Sequence, residues 1–179
     1  MMRVLGVDPG SRITGYGVVQ FESGVDLAHV ASGAIKVSGQ DLADRLKCIC
    51  DAITDVIEAH SPDVVAVEQV FMARNARAAL VLGHARGAAI CAAVNLGVSV
   101  VEYSALQVKQ AVVGNGRAEK IQVQHMIRAL LGLRQRPQAD AADALACAIC
   151  HIHTAQSERR YRNEDNPLTS GEHDRASTR

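Results

Sequence analysis

Residues 3–21 read RVLGVDPGSRITGYGVVQF, and this stretch decides how the chain begins to fold. Its first part, residues 3–8, is a short apolar run typical of a buried strand, and Pro9-Gly10 stops it. Residues 13–21 predict a second strand, and residues 26–37 predict a third. Because three short strands follow one another closely, we expect them to pair as antiparallel hairpins.

The rest of the chain alternates helical and strand patterns. A helix is predicted over residues 41–60, because large apolar residues recur there at spacings of three and four. Residues 63–68 read DVVAVE, which is typical of a fully buried strand. A last strand is predicted over 98–103, with further helices over 75–96, 104–112, 119–131 and 138–154. This order predicts an α/β fold with a mixed five-stranded sheet, three antiparallel strands then two parallel ones, flanked by helices.

Composition favours one ordered domain over residues 1–154. The chain has 179 residues, and 48% of them are hydrophobic, which is too many for a disordered protein. From residue 155 the sequence becomes rich in Ser, Arg, Asn, Asp, Glu and Thr, so we expect residues 155–179 to form a disordered polar tail.

The formal net charge is zero, with 19 basic and 19 acidic residues, which argues against a simple polyanion binder. The charges are unevenly distributed, however. Residues 1–68 hold 5 basic and 10 acidic residues, whereas residues 69–136 hold 9 basic and 2 acidic residues. A nucleic-acid surface beside an acidic metal site would give this pattern, and so would ordinary solvated charge.

Targeting signals are not visible in the sequence. The chain passes from Met1 almost directly into a strand pattern, and no uninterrupted apolar run reaches the roughly 18 residues of a membrane span. We therefore expect a cytoplasmic protein with no membrane partner. Its five cysteines are expected to be buried free thiols.

Four acidic residues form the candidate catalytic and metal-binding set. Asp8 and Glu68 each end a predicted buried strand, and Asp140 and Asp143 open a helix at a spacing that puts both on one face. Ligands gather at the carboxyl ends of strands in α/β sheets, so the four could converge. Clustered carboxylates need cations, and hard oxygen ligands favour Mg²⁺ or Mn²⁺. Two such ions could activate a water and stabilise the leaving oxygen of a phosphodiester.

Each acid also has a structural explanation. Asp8 before Pro-Gly could simply begin a turn, and Asp140 and Asp143 could simply favour a helix N-terminus. Glu68 is harder to explain in this way, because a charged residue after Val-Val-Ala-Val rarely enters a core without a partner.

Candidate DNA contacts cluster in the basic middle of the chain. Phe71 could stack on a base, and Arg74 and Arg77 could contact phosphates. Lys109 and Lys120 flank a Gly-Asn-Gly loop and could neutralise charge at a phosphate. A core position for Phe71 and exposed helix faces for the basic residues would explain the same pattern.

Four stretches resemble the motifs of RuvC-type Holliday-junction resolvases. The similarity covers residues 3–154, in order and at the spacing of that family. The motifs are DPGSRITGYG at 8–17, AVEQVFMARN at 66–75, QVKQAVVG at 107–114 with AEK at 118–120 and QVQHM at 122–126, and DAADALA at 140–146.

The resemblance implies a ribonuclease-H-like fold, a homodimer, and cleavage of four-way DNA junctions by two symmetric nicks. It implies Asp8, Glu68, Asp140 and Asp143 as the metal-binding catalytic set, and DNA roles for Phe71, Lys109 and Lys120. It also implies junction branch-migration motor proteins as partners and a short T-rich cleavage site. Two opposed strands need two sites related by a twofold axis, and we expect the helix over 75–96, with Leu80 and Leu82, near the dimer interface.

Other functions fit parts of the sequence. Residues 7–17 also resemble the phosphate loop of actin-like ATPases and sugar kinases, but one domain of this length is too short for their two halves. Residues 147–151 read CAICH, which matches a covalent haem pattern, although the stretch falls within a predicted helix, where buried cysteines are the better explanation. A junction-binding module without catalysis and a different ribonuclease-H-like nuclease stay open as alternatives.

Overall fold

The computed structural model describes residues 1–22, 26–69 and 76–164. Five strands form one sheet in the order β3-β2-β1-β4-β5. β1 pairs antiparallel with β2 and β2 pairs antiparallel with β3, whereas β1, β4 and β5 are parallel neighbours. The strands are β1 (Met2–Asp8), β2 (Ile13–Phe21), β3 (Ala28–Lys36), β4 (Val64–Glu68) and β5 (Ser99–Tyr103). The predicted mixed sheet of three antiparallel strands followed by two parallel ones is confirmed.

Five helices cover the two faces of this sheet. They are α1 (Leu42–His60), α2 (Ala76–Asn95), α3 (Ala105–Val113), α4 (Lys120–Leu130) and α5 (Ala139–Glu164). Odd-numbered residues of β1, such as Leu5 and Val7, pack with α1 and α2, whereas Val4 packs in the core formed with α3, α4 and α5. This alternation follows from the two-residue period of a strand, and it puts Asp8 on the α5 face.

Capping residues mark several helix ends. Asp41 precedes α1 and accepts a hydrogen bond from the backbone N–H of Asp44, and Ser61 ends the helix in the left-handed region with a φ of 45°. Ser104 caps α3 in a reciprocal arrangement with Gln107. The predicted helix positions therefore agree with the structure to within a few residues up to α4.

The last helix differs from its prediction. α5 continues to Glu164, so the expected helix end at residue 154 and the disordered tail from residue 155 are wrong for residues 155–164. Polar composition at 155–164 indicated a tail, but these residues continue a helix that the core nucleates, because Leu145, Ile149 and Ile152 are fully buried. Residues 165–179 lie outside the described residues, and disorder there stays a prediction.

α2 is long and apolar enough to span a membrane by length and composition alone. A soluble core helix passes the same test. Ala85, Ala89 and Ala92 of α2 are buried in the core shared with α1, and Arg86 forms an ion pair with Glu102 of β5. These contacts are those of a helix that covers the sheet.

Candidate active site

Asp8 and Glu68 lie side by side at one edge of the sheet. They end β1 and β4, which run parallel, and the pair Val7 and Val67 immediately before them is in register. Both acids continue the set of alternating residues that faces α5. Two carboxylates on one face, at the carboxyl ends of neighbouring strands, provide half of the predicted acid set.

Asp140 and Asp143 reach the same site from the first turns of α5. This helix packs closely over β1 and β2, where residues without side chains allow the approach. A Cβ at Gly15 would overlap the carbonyl oxygen of Asp140, and a Cβ at Gly6 would lie 2.8 Å from the backbone nitrogen of Ala148. Because Gly15 pairs with Asp8 across β1 and β2, the contact brings the start of α5 beside Asp8.

The turn after Asp8 is anchored by Thr14, a fully buried polar residue. Its hydroxyl donates to the Gly10 carbonyl at 3.1 Å and accepts from the Gly10 amide at 3.3 Å. Arg45 of α1 donates to the Ser11 carbonyl in the same turn. Thr14 was not predicted from the sequence, although a threonine between Ile13 and Gly15 within a buried strand is a visible signal.

Mutual repulsion identifies the acids as one electrostatic cluster. Burial, followed by the charges of Asp143, Glu68 and Asp140 in that order of effect, raises the pKa of Asp8 to about 7, against a smaller lowering by Lys120. Burial and then Asp143 also raise the pKa of Glu68, while Lys109 and Lys120 lower it. The structure thus brings the other three predicted acids within electrostatic range of Asp8.

Two of the predicted basic residues lie at this cluster. Lys120 donates a hydrogen bond to Asp143, with Nζ 2.6 Å from Oδ2. Lys109 and Lys120 line a cleft of about 290 Å³ together with Glu68 and Asp143. The hydrogen bond to Asp143, acting against burial and joined by attraction to the carboxylates of Asp143, Asp8 and Asp140, raises the pKa of Lys120, so its ammonium stays charged beside the acids.

The carboxylate oxygens of these four acids are ligands of the kind that a hard divalent cation prefers. The charge of Asp143 helps to raise the pKa of both Asp8 and Glu68, and a cation in this cluster would offset that negative charge. Among the residues that the structure describes, no group of three or more Asp, Glu, His or Cys side chains is already gathered to hold a metal ion. The side chains would have to converge further, and Asp143 is engaged by Lys120.

The remaining predicted DNA contacts are only partly placed. Phe71 and Arg74 lie outside the described residues. Arg77 is exposed in the first turn of α2. Arg86, further along the same helix, forms an ion pair with Glu102 of β5.

The haem-like pattern belongs to the core. Cys147 and Cys150 are buried in α5, and burial raises the pKa of the Cys147 thiol well above its usual range. His151 Nδ1 lies 2.8 Å from the hydroxyl of Tyr103, the residue that pairs with Glu68 across β4 and β5. The expectation of buried thiols is confirmed for these two and is wrong for Cys91, which is exposed, while Cys48 and Cys50 are half-buried. Tyr103 and His151, which join β5 to α5, were not predicted from the sequence.

Comparisons with known proteins agree with this architecture. The family model described as Crossover junction endodeoxyribonuclease RuvC matches residues 4–151. The protein of that name from Hahella chejuensis is 60% identical over 157 residues, covering 88% of this chain and 91% of the relative. The one from Yersinia pestis is 55% identical over 171 residues, covering 96% of this chain and 98% of the relative.

Solved structures extend the similarity to three dimensions. Thermus thermophilus RuvC in complex with a Holliday junction substrate is 37% identical, with a TM-score of 0.83, covering 88% of this chain and 97% of that one. The yeast mitochondrial Holliday junction resolvase is 12% identical with a TM-score of 0.68, which shows a shared fold. The sheet order, the strand-end acids and these matches together show that the chain belongs to the crossover junction endodeoxyribonuclease RuvC family.

Proposed function

We propose that this chain is a metal-dependent endonuclease that resolves four-way DNA junctions by paired symmetric nicks, in recombination and repair. The observation that carries the proposal is the single electrostatic cluster formed by Asp8, Glu68, Asp140 and Asp143, in a chain of this family. In a protein that only binds DNA, four carboxylates beside a phosphate would weaken binding, because they repel the polyanion unless cations lie between them.

In this proposal the four acids hold two Mg²⁺ ions, and Mn²⁺ can substitute for them. Such ions would supply an activated water and would stabilise the leaving oxygen. Asp8 and Glu68 provide ligands from the sheet, and Asp140 and Asp143 provide them from α5. Water attacks phosphorus in line with the bond to the 3′ oxygen, which leaves a 5′-phosphate and a 3′-hydroxyl that a ligase can rejoin.

Lys109 and Lys120 contribute positive charge to the cleft that Glu68 and Asp143 also line. Their ammonium groups can pair with phosphate oxygens of the cleaved strand and offset the charge that develops there. Phe71, Arg74 and Arg77 complete the proposed DNA surface, with base stacking for the first and phosphate contacts for the other two.

A homodimer would place two such sites on the two strands that must be cut. Leu80 of α2 is 65% exposed, which is unusual for a large apolar side chain in a long helix. A groove of about 620 Å³ runs between α1 and α2 beside the small residues Gly83, Gly87 and Ala88. These features support α2 as part of the interface. The proposal also includes a cytoplasmic location, no membrane association and branch-migration motors as partners.

The test is incubation with a labelled four-way junction, a linear duplex of matched sequence, and the same reactions in EDTA. Paired nicks in the junction alone, dependent on Mg²⁺, are expected. Equal cleavage of the duplex would favour a general ribonuclease-H-like nuclease. Junction binding without any cleavage in Mg²⁺ or Mn²⁺ would favour a binding module and overturn the proposal.

A further inference from the structure

The Lys120 ammonium is the positive group bound directly to the acid cluster. It lies 2.6 Å from the Asp143 carboxylate, and the charges of Asp8 and Asp140 act on it as well. Lys120 begins α4 and Asp143 lies near the start of α5, so the ion pair joins two helices across the cleft. In this structure a side chain of the protein thus supplies part of the positive charge that four carboxylates require.

This ion pair is open to exchange. The side chain of Lys120 is 58% exposed and that of Asp143 is 24% exposed. Pairs at such exposure are weak, because water screens them and a long side chain loses freedom in forming them. The oxygen that accepts from Lys120 is also one of the hard donors that a divalent cation needs, and a cation beside it repels the ammonium.

Lys109 provides the contrast. It lines the same cleft and its charge acts on Glu68. Within residues 1–22, 26–69 and 76–164, the carboxylate ion pair at the cleft is made by Lys120 and not by Lys109. The two lysines therefore differ in that Lys120, unlike Lys109, is paired directly with a candidate metal ligand in the part of the chain that the structure describes.

We propose that Lys120 is an intramolecular counter-ion, which occupies Asp143 in the metal-free protein and must leave it when a divalent cation binds. The inference rests on the proposed function, since it takes Asp143 as a metal ligand. Once displaced, the ammonium is free to meet a DNA phosphate, so metal loading and phosphate contact become linked. Removal of Lys120 should then tighten metal binding while it weakens cleavage.

The first test measures Mn²⁺ binding to the DNA-free, full-length protein by electron paramagnetic resonance of the free ion. Lys120→Met keeps the length of the side chain and removes its charge, and Lys109→Met is the matched control for loss of one positive charge in the cleft. We expect Lys120→Met to bind Mn²⁺ about fivefold more tightly than wild type, and Lys109→Met to differ by less than about twofold. Equal effects of the two variants, or weaker binding by Lys120→Met, would overturn the inference.

The second test observes Lys120 in the wild-type chain, which has only four lysines. Reductive ¹³C-methylation labels all four, and Lys120→Arg assigns the signal. Addition of Mg²⁺ should move the Lys120 signal more than those of Lys36 and Lys47, which lie away from the cleft. If Mg²⁺ raises the melting temperature but the Lys120 signal stays in place, Lys120 does not leave Asp143 and the inference fails. Neither test measures cleavage. If the wild-type protein does not cleave junctions, the proposed function fails, and that outcome is distinct from the results of these two tests.

Discussion

Gly15 of β2 and Asp140 of α5 meet backbone to backbone, so closely that a Cβ at Gly15 would overlap the Asp140 carbonyl oxygen. Gly15 is also the register partner of Asp8. One contact therefore sets the spacing between the acids of the sheet and those of α5, and a single methyl group should disturb it.

Gly15→Ala is expected to push the start of α5 away from β2. Overpacking of this kind costs about 1–3 kcal/mol of unfolding free energy, and the shift should lower metal affinity as well. Urea unfolding and Mn²⁺ titration measure the two effects. Gly83→Ala is the control for stability, because nothing lies within 4 Å of its added Cβ in α2 and alanine favours a helix. Unchanged unfolding and metal binding in Gly15→Ala would contradict the role assigned to this contact.

Glu68→Gln should separate cleavage from binding. The amide keeps the shape of the side chain but removes the negative charge, so we expect junction cleavage to fall by about 100-fold or more while junction affinity stays near that of wild type. Gel-shift and nicking assays on the same junction measure both. Glu58→Gln, at an exposed position of α1, is the matched control and should cleave normally. A fully active Glu68→Gln enzyme would remove Glu68 from the catalytic set.

The raised pKa of Asp8 makes the metal-free protein pH-sensitive. The ordinary pKa of this carboxyl is 3.8 and its pKa in the fold is about 7, so the folded state retains a proton that the unfolded chain releases. The contribution of the protonated Asp8 carboxyl to the free energy of unfolding is therefore lost as the pH rises from about 4 to 7. Asp8→Asn should raise the melting temperature in EDTA at pH 8 and have little effect at pH 4.

The dependence on metal provides a check. Mg²⁺ should raise the melting temperature of wild type at pH 8, because a cation compensates the ionised cluster. It should raise that of Asp8→Asn less. Equal stabilisation by Asp8→Asn at pH 4 and pH 8 would show that the effect does not come from the Asp8 charge.

Leu80→Glu tests the interface proposed on α2. A charge in the middle of an apolar interface is costly to bury, so this variant should sediment as a monomer at concentrations where wild type is a dimer. Val30→Glu, at another exposed apolar position on β3, is the control and should leave the oligomeric state unchanged. A dimeric Leu80→Glu protein would exclude Leu80 from the interface.

Local patterns predicted most of the elements and two of the acids. The apolar runs before Asp8 and Glu68 indicated buried strands, and a charged residue that directly follows such a run needs a partner or a ligand. Periodicity also located α1 well, because burial of one face determines the pattern of apolar residues. The polar composition beyond residue 154 was misleading, since α5 extends from a buried core segment that no local rule connects to its exposed end.

Local sequence patterns were enough to identify the residues that could serve as ligands and the strand or helix ends at which they lie. Their meeting in space follows from the packing of the fold. Gly15 and Asp140 are far apart in the chain, and they are in contact because α5 packs against the part of the sheet where the residues are glycines. Likewise the ion pair of Lys120 with Asp143 depends on how α4 and α5 pack, since a 2.6 Å contact requires both helices to be in place. Such distances arise from the packing of the whole core, and no pattern within one element contains them.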